Sequence, residues 1–152
     1  MARHSAGLLP FRYDGDDLHV FIAHMGGPFW ARKQQHAWSI VKGEYEPGGE
    51  EPEAVARREF FEEIGVPAPE GDWLDLGSVR QSGKVVAAFA VRAPASLAFV
   101  ASNTVEVEWP PRSGRLIEVP EVDRAEWMPV DVARTRLVKG QIPLLDRLVA
   151  AT

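Results

Sequence analysis

One segment restricts this chain more than any other: residues 48–66, "GGEEPEAVARREFFEEIGV". Pro52 stands where a first helical turn tolerates a missing N–H, and Gly65 stands where a helix ends. The spacing predicts one amphipathic helix with Ala56, Phe60 and Ile64 along its core-facing stripe. Six glutamates share these nineteen positions, and Glu59, Glu62 and Glu63 fall within roughly a 100° sector. Like charges at helical spacing destabilise, so the crowding needs a reason. A solvated acidic face would lie opposite the apolar stripe, whereas these carboxylates border it. Clustered carboxylates beside a buried surface suit a hard divalent cation that prefers oxygen ligands, and magnesium in particular.

The rest of the chain reads mostly as strands. "SAGLLPFRYDGDDLHVFIAH" predicts two strands about an Asp14-Gly15 turn, and "WLDLGSVRQ" with "KVVAAFAVR" predicts a second hairpin across Ser82-Gly83. "VEVEW" and "GRLIEV" form a third candidate pair around "PPRSG". Residues 25–35 read as a loop, 37–41 ("AWSIV") as a short strand and 42–49 ("KGEYEPGG") as a structured loop. Asp131 is placed to cap a helix over 132–139, and a last helix is expected from Pro143. Strands, one internal helix, more strands and terminal helices together predict an α+β sandwich with a mixed sheet.

Composition narrows the function. At 152 residues the chain is long enough for one domain with a real core. A net charge of −5 argues against a basic face that grips a nucleic acid polymer. With no cysteine, disulfide frameworks, thiolate zinc sites and cysteine nucleophiles are excluded. The N-terminal apolar stretch is interrupted by Pro10, Arg12 and Asp14, unlike a signal peptide, and no run reaches membrane-spanning length. A cytoplasmic setting without membrane attachment is the expectation.

The wording of the helix carries a resemblance. Glu50, seven residues, then Arg58-Glu59-Phe60-x-Glu62-Glu63-x-Gly65-Val66 resembles the signature of the Nudix hydrolases at eight positions. One departure is visible: six residues, not five, separate Gly43 from Glu50, because Gly48-Gly49 stands where one glycine is usual. An added glycine in a flexible loop is tolerated at little cost. "WSIVKGEYEPGGEEPE" is also similar to the corresponding stretch of diadenosine tetraphosphate hydrolases. The resemblance implies the Nudix α/β/α sandwich as a single domain over 1–152. It also implies Mg2+-dependent cleavage, with Mn2+ as a substitute, of a phosphoanhydride bond in a nucleoside diphosphate linked to another moiety.

Residue by residue, the resemblance implies that Glu62 and Glu63 hold magnesium and that Glu59 binds a second ion or orients the attacking water. The Lys42 carbonyl, just before Gly43, would join the metal shell. Glu50 and Arg58 are expected to pair and hold loop against helix, with Gly43 and Gly65 shaping the two ends. A further glutamate often completes such sites. Of Glu106, Glu108, Glu118 and Glu121, the choice is Glu121, six residues before Trp127; a solvated loop glutamate is the competing reading. Family members are often dimers, so the resemblance leaves a homodimer open.

Other residues are assigned less. In "EWPPRSGR", Trp109 could stack on a base while Arg112 and Arg115 meet phosphates, but a rigid turn with solvated arginines is the favoured reading. Lys42 could touch phosphate. Trp30, Arg32 and Lys33 are read as loop residues, Trp38, Trp73 and Trp127 as core, and the four histidines are assigned nothing. Dinucleoside polyphosphates are the favoured substrates. Pyrophosphohydrolysis of damaged nucleoside triphosphates is the runner-up, and a non-catalytic nucleotide-binding module ranks lowest because no box glutamate is lost.

Overall fold

The computed structural model describes residues 2–152. Its strands are β1 (Arg3–Asp14), β2 (Asp17–Met25), β3 (Trp38–Ser39), β4 (Val41–Tyr45), β5 (Leu74–Gln81), β6 (Lys84–Arg92), β7 (Thr104–Glu108), β8 (Leu116–Pro120) and β9 (Val122–Pro129). The helices are α1 (Pro52–Ile64), α2 (Val130–Arg136) and α3 (Ile142–Ala151), the last entered through a 3-10 turn at Lys139–Gln141. β7 and β8 form a hairpin of their own; the other seven strands form one sheet. β1 runs parallel to β6 and antiparallel to β2 and β4, which makes the sheet mixed. The expected architecture is present.

Strand alternation divides the core. Leu8 and Phe21 face α1, where Val41, Ala56, Phe60, Ile64 and Val91 join them. Their chain neighbours Leu9, Val20 and Ile22 face the opposite side, against Leu137, Leu144, Leu145 and Leu148 of the C-terminal segment. Helices therefore cover both faces of one sheet.

The predicted hairpins form. Asp14 pairs with Asp17 across Gly15-Asp16, one residue on from the expected centre. Gln81 pairs with Lys84 across Ser82 and Gly83, both at positive φ, as a two-residue hairpin turn demands. Pro52 opens α1, and Gly65 closes it in the left-handed conformation at φ +89°. A Cβ at Gly65 would lie 2.8 Å from the Ala101 carbonyl oxygen, so the cap is also a close approach.

Three expectations need correction. "AWSIV" is not one strand: β3 pairs with β2 through Trp38 and Ser39, and β4 pairs with β1 from Val41 onward. The chain crosses from one partner to the other at Ile40. Residues 42–45, read as loop, belong to β4. Asp131 does not cap a helix over 132–139: α2 starts after Pro129, so Asp131 sits in its first turn, where a negative charge favours the helix dipole. The helix stops at Arg136 because the next residues are captured by β3; the Val138 N–H donates to the Trp38 carbonyl at 2.8 Å. Trp38 is core at 2% exposure, whereas Trp73 and Trp127 are half-buried and pack against the α1-side cluster. Among the described residues, no helix is long and apolar enough to cross a membrane.

The crossing at Ile40 strands a buried backbone N–H between two strands. The fully buried Gln141 accepts it through Oε1 at 2.8 Å, while its Nε2 donates to Ser39 Oγ at 3.0 Å and to Gln81 Oε1 at 2.8 Å. Gln141→Leu keeps the side-chain size and removes all three bonds. It is expected to lower stability by about 2–3 kcal/mol, read as a lower urea midpoint at unchanged slope.

Candidate metal centre

Helix geometry decides which glutamates point inward. Glu63 follows Glu59 by four residues and lies roughly 40° from it around α1, whereas Glu62 lies roughly 60° to the other side of Glu59. The sheet is on the Glu63 side. Glu59 and Glu63 are accordingly only 8% and 5% exposed. Glu121, between β8 and β9, completes the group: Glu59, Glu63 and Glu121 each offer a carboxylate oxygen, and all three oxygens lie within 4.8 Å of one another. Glu62 lies outside this group; its side chain is 38% exposed, 3.6 Å from Arg58.

Burial drives the Glu63 carboxyl well above the ordinary carboxylate range, with Glu121 and Glu59 adding repulsion and Lys42 opposing it. Glu59 is also raised, first by burial and then by Glu62, against the pull of Arg58. Among the described residues, no lysine or arginine comes within ion-pair distance of Glu63 or Glu121. Converging carboxylates, of which Glu63 and Glu121 have no ion-pair partner among the described residues, are the donor set a divalent cation takes. The residues present fit such an ion.

Gly43 explains how the carboxylate fits. A Cβ there would lie 1.9 Å from Glu59 Cδ, so the carboxylate rests directly on the β4 backbone. Arg58 secures the same corner: Nη2 and Nε donate to the two oxygens of Glu50 at 2.8 and 3.2 Å, and Nη1 donates to Glu59 Oε1 at 3.0 Å. The extra glycine does not prevent this, because Gly48 takes a left-handed turn (φ +91°) that absorbs it. With so many carboxylates around it, the guanidinium is held firmly charged, Glu50 contributing most.

Glu121 is delivered by a relay that no sequence signal announced. The Asn103 N–H donates to the Glu62 carbonyl at 2.9 Å, and the Glu121 N–H donates to the Asn103 carbonyl at 3.0 Å. From the other side, the Gly26 N–H donates to the Glu121 carbonyl at 3.0 Å. Gly26 has to be glycine, since a Cβ would sit 1.9 Å from the Pro120 carbonyl oxygen. His24, assigned nothing from sequence, is fully buried nearby: Nδ1 is 2.8 Å from Asp123 Oδ1 and Nε2 is 2.7 Å from the Lys33 carbonyl. It ties the 26–37 loop to the start of β9.

Glu63, Glu121 and Lys42 line a cavity of about 270 Å³, closed on one side by Val105, Val107 and Val119 of the β7–β8 hairpin. Burial and Lys84 lower the Lys42 ammonium's pKa, while Glu63, Glu44 and Glu121 oppose that shift. A second cavity of about 220 Å³ adjoins the first, with Phe29, Trp30 and Trp109 on its walls. Arg112 and Arg115 belong to the exposed hairpin turn, where Arg112 has φ +63° and its N–H donates to Glu108 Oε1 at 2.9 Å. Glu106, Glu108 and Glu118 are exposed on that hairpin, apart from the carboxylate group.

Gly43→Ala would force the Glu59 carboxylate off its seat without touching a core residue. Calorimetric titration with Mg2+ or Mn2+ is expected to show affinity about 10–100-fold weaker, with an unchanged far-UV circular dichroism spectrum.

Comparison with known proteins bears on the family and the fold. Residues 1–148 match the family model described as the NUDIX domain. No curated protein matches the sequence. Among solved structures, the NUDIX domain of Shewanella oneidensis NrtR, complexed with ADP ribose, is similar with a TM-score of 0.63 at 16% identity, covering 99% of this chain and 88% of that one. The C. elegans Ap4A hydrolase gives a TM-score of 0.59 at 16% identity, covering 99% and 98%. The E. coli ORF135 protein gives 0.58 at 22% identity, covering 97% and 89%. At these identities the structures speak for the fold alone. The family match over nearly the whole sequence goes further: the chain belongs to the Nudix hydrolase family, enzymes that act on phosphorus-containing acid anhydrides.

Proposed function

We propose that this chain hydrolyses a phosphoanhydride bond in a nucleoside diphosphate linked to another moiety, with dinucleoside polyphosphates as the favoured substrates and Mg2+ as the cofactor. One observation carries the reading: the buried carboxylates of Glu59 and Glu63 converge with that of the half-buried Glu121 beside a cavity that also contains Lys42. A cation held there would offset the repulsion between these carboxylates and a polyphosphate. The preference for dinucleoside polyphosphates rests on the loop resemblance and on likeness to a fold whose members include an Ap4A hydrolase.

Glu59, Glu63 and Glu121 would hold the cation, and Glu62 adjoins them from the solvent side, where it is the carboxylate available to a second one. When bound, the cation offsets phosphate charge and lowers the pKa of a water molecule. A carboxylate of the group takes the proton from the attacking water. Lys42 places a positive charge at the cavity wall, where it favours an anionic substrate. Glu50 and Arg58 act on position: they fix the loop against α1 and hold Glu59 on Gly43.

Glu63→Gln keeps the side-chain shape and removes the ligand charge. Phosphate release from a panel of mono- and dinucleotides is expected to fall by about 10²–10⁴-fold with the fold intact. Unchanged turnover would leave only a binding role. Cleavage of mononucleotides alone would move the assignment to nucleoside triphosphate pyrophosphohydrolysis.

Acidity provides a second check. Glu59 and Glu63 titrate above their unfolded values. In the metal-free chain their stabilising contribution is therefore full below the unfolded carboxylate range and is lost as pH rises through the folded pKa. A divalent cation binds the ionised forms, so it restores stability at the alkaline end. Added MgCl2 is expected to raise Tm more at pH 8 than at pH 5; equal shifts at both would contradict the assigned ligands.

A further inference from the structure

α1 ends at Ile64, and the last carbonyls of a helix have no partner within it. A segment distant in sequence supplies donors for two of them. The Asn103 N–H donates to the Glu62 carbonyl at 2.9 Å, and the Val100 and Ala101 N–H groups donate to the Ile64 carbonyl at 2.8 and 3.1 Å. The same segment is pressed onto the helix cap: a Cβ at Gly65 would stand 2.9 Å from the Ala101 nitrogen. Residues 100–103 are therefore a strut fastened to the end of the helix that carries Glu59 and Glu63.

The other side of the strut meets the chain at Glu121. The Asn103 carbonyl accepts the Glu121 N–H at 3.0 Å and the Ser102 hydroxyl at 2.8 Å. Ser102 Oγ in turn accepts the Val122 N–H at 3.1 Å. The two amides that flank the Glu121 Cα are thus both held by the strut. A peptide unit is planar, so a bond to its N–H and a bond to its C=O together fix its tilt. The Glu121–Val122 peptide has one of each: Gly26 donates to its carbonyl, and Ser102 accepts its N–H.

We propose that Ser102 is a positioning residue of the cation site: its hydroxyl sets the Glu121 backbone, and so the reach of the Glu121 carboxylate toward Glu59 and Glu63. This inference rests on the cation reading of the carboxylate group. The three carboxylates repel one another, so a loosely held Glu121 would swing outward. The residue type follows from the bonding. A carbonyl oxygen has two lone pairs, and Asn103 spends both on Glu121 and Ser102. Val122 therefore needs another acceptor, and one that also donates to Asn103 has to be a hydroxyl. Alanine at 102 loses both bonds, whereas threonine keeps them.

The test uses the full chain as parent, Ser102→Ala and Ser102→Thr. Mn2+ affinity is read by water-proton relaxation, which reaches weak binding. Ser102→Ala is expected to bind about tenfold more weakly, with Ser102→Thr close to the parent. In a Glu121→Gln background, Ser102→Ala is expected to cost nothing further, because the residue it positions has already lost its charge. In the metal-free chain, hydrogen exchange at the Val122 amide is expected to quicken about tenfold in Ser102→Ala. Equal Mn2+ affinity in the parent and Ser102→Ala, even with a lower urea midpoint, would make the serine structural only and leave the cation reading standing. Unchanged exchange at Val122, a threonine variant as weak as the alanine one, or a full further loss in the Glu121→Gln background would each overturn the positioning role as well. A parent chain that takes up no Mn2+ would overturn both readings together.

Discussion

Three carboxylates gathered inside 4.8 Å push one another apart, and the architecture around them is what keeps them together. Two of them are buried, so burial and mutual repulsion both disfavour the charged forms. A chain tolerates that only when the groups arrive on rigid supports anchored elsewhere. α1 supplies Glu59 and Glu63 from a helix whose other stripe, Ala56, Phe60 and Ile64, is fully buried in the core. Glu121 is fixed through its backbone, its N–H to Asn103 and its carbonyl to Gly26. The electrostatic strain is offset mainly by packing and by main-chain hydrogen bonds made elsewhere on these elements; Glu59 alone also has a cation on its carboxylate, Arg58 at 3.0 Å.

The sheet makes the room. β1 and β2 pair only near their shared turn, from Asp14–Asp17 up to Phe11–Val20. Beyond that they part, and the β3–β4 segment enters between them, pairing first with β2 and then with β1. β4 thereby carries Gly43 to Glu59 and Lys42 to the cavity wall. Gln141, a hundred residues away in sequence, makes the exchange tolerable by accepting the Ile40 N–H. The C-terminal segment thus supports the strand beneath the carboxylate group without touching that group.

Much of this was legible locally, and the exceptions have physical causes. α1 could be read because its signals, Pro52, the apolar stripe and Gly65, are contained within the helix. The hairpins could be read because turn residues reveal themselves in pairs. "AWSIV" resisted because strand pattern reports burial and not partners, and a change of partner at Ile40 leaves no mark on composition. The inward direction of Glu63 over Glu62 depends on where the sheet lies around α1, which a helical wheel does not give. The Asn103 relay and the His24 clamp join residues far apart in sequence through backbone atoms or a single ring, and neither has a motif. Trp73 and Trp127 read as core because aromatic residues in strand patterns usually are; in the structure both indole N–H groups donate to loop carbonyls, of Pro69 and Leu97, and the rings stay half-buried against the core.

The division of labour between elements bears on how such a fold changes its ligand. The carboxylates stand on α1 and at the start of β9, both tied to the main sheet. The aromatic walls stand on the 26–37 loop and on a hairpin that shares no strand pairing with that sheet. Side chains on β7 and β8 can be replaced without altering the register of the seven-stranded sheet, because the two ladders have no hydrogen bonds in common. The carboxylates are therefore placed where substitution is structurally expensive, and the aromatic walls where it is cheap. The resulting constraint is one-sided: the hairpin's side chains can change with Glu63 left in place, whereas displacement of Gly43 or Glu59 disturbs the carboxylate group whatever the hairpin presents.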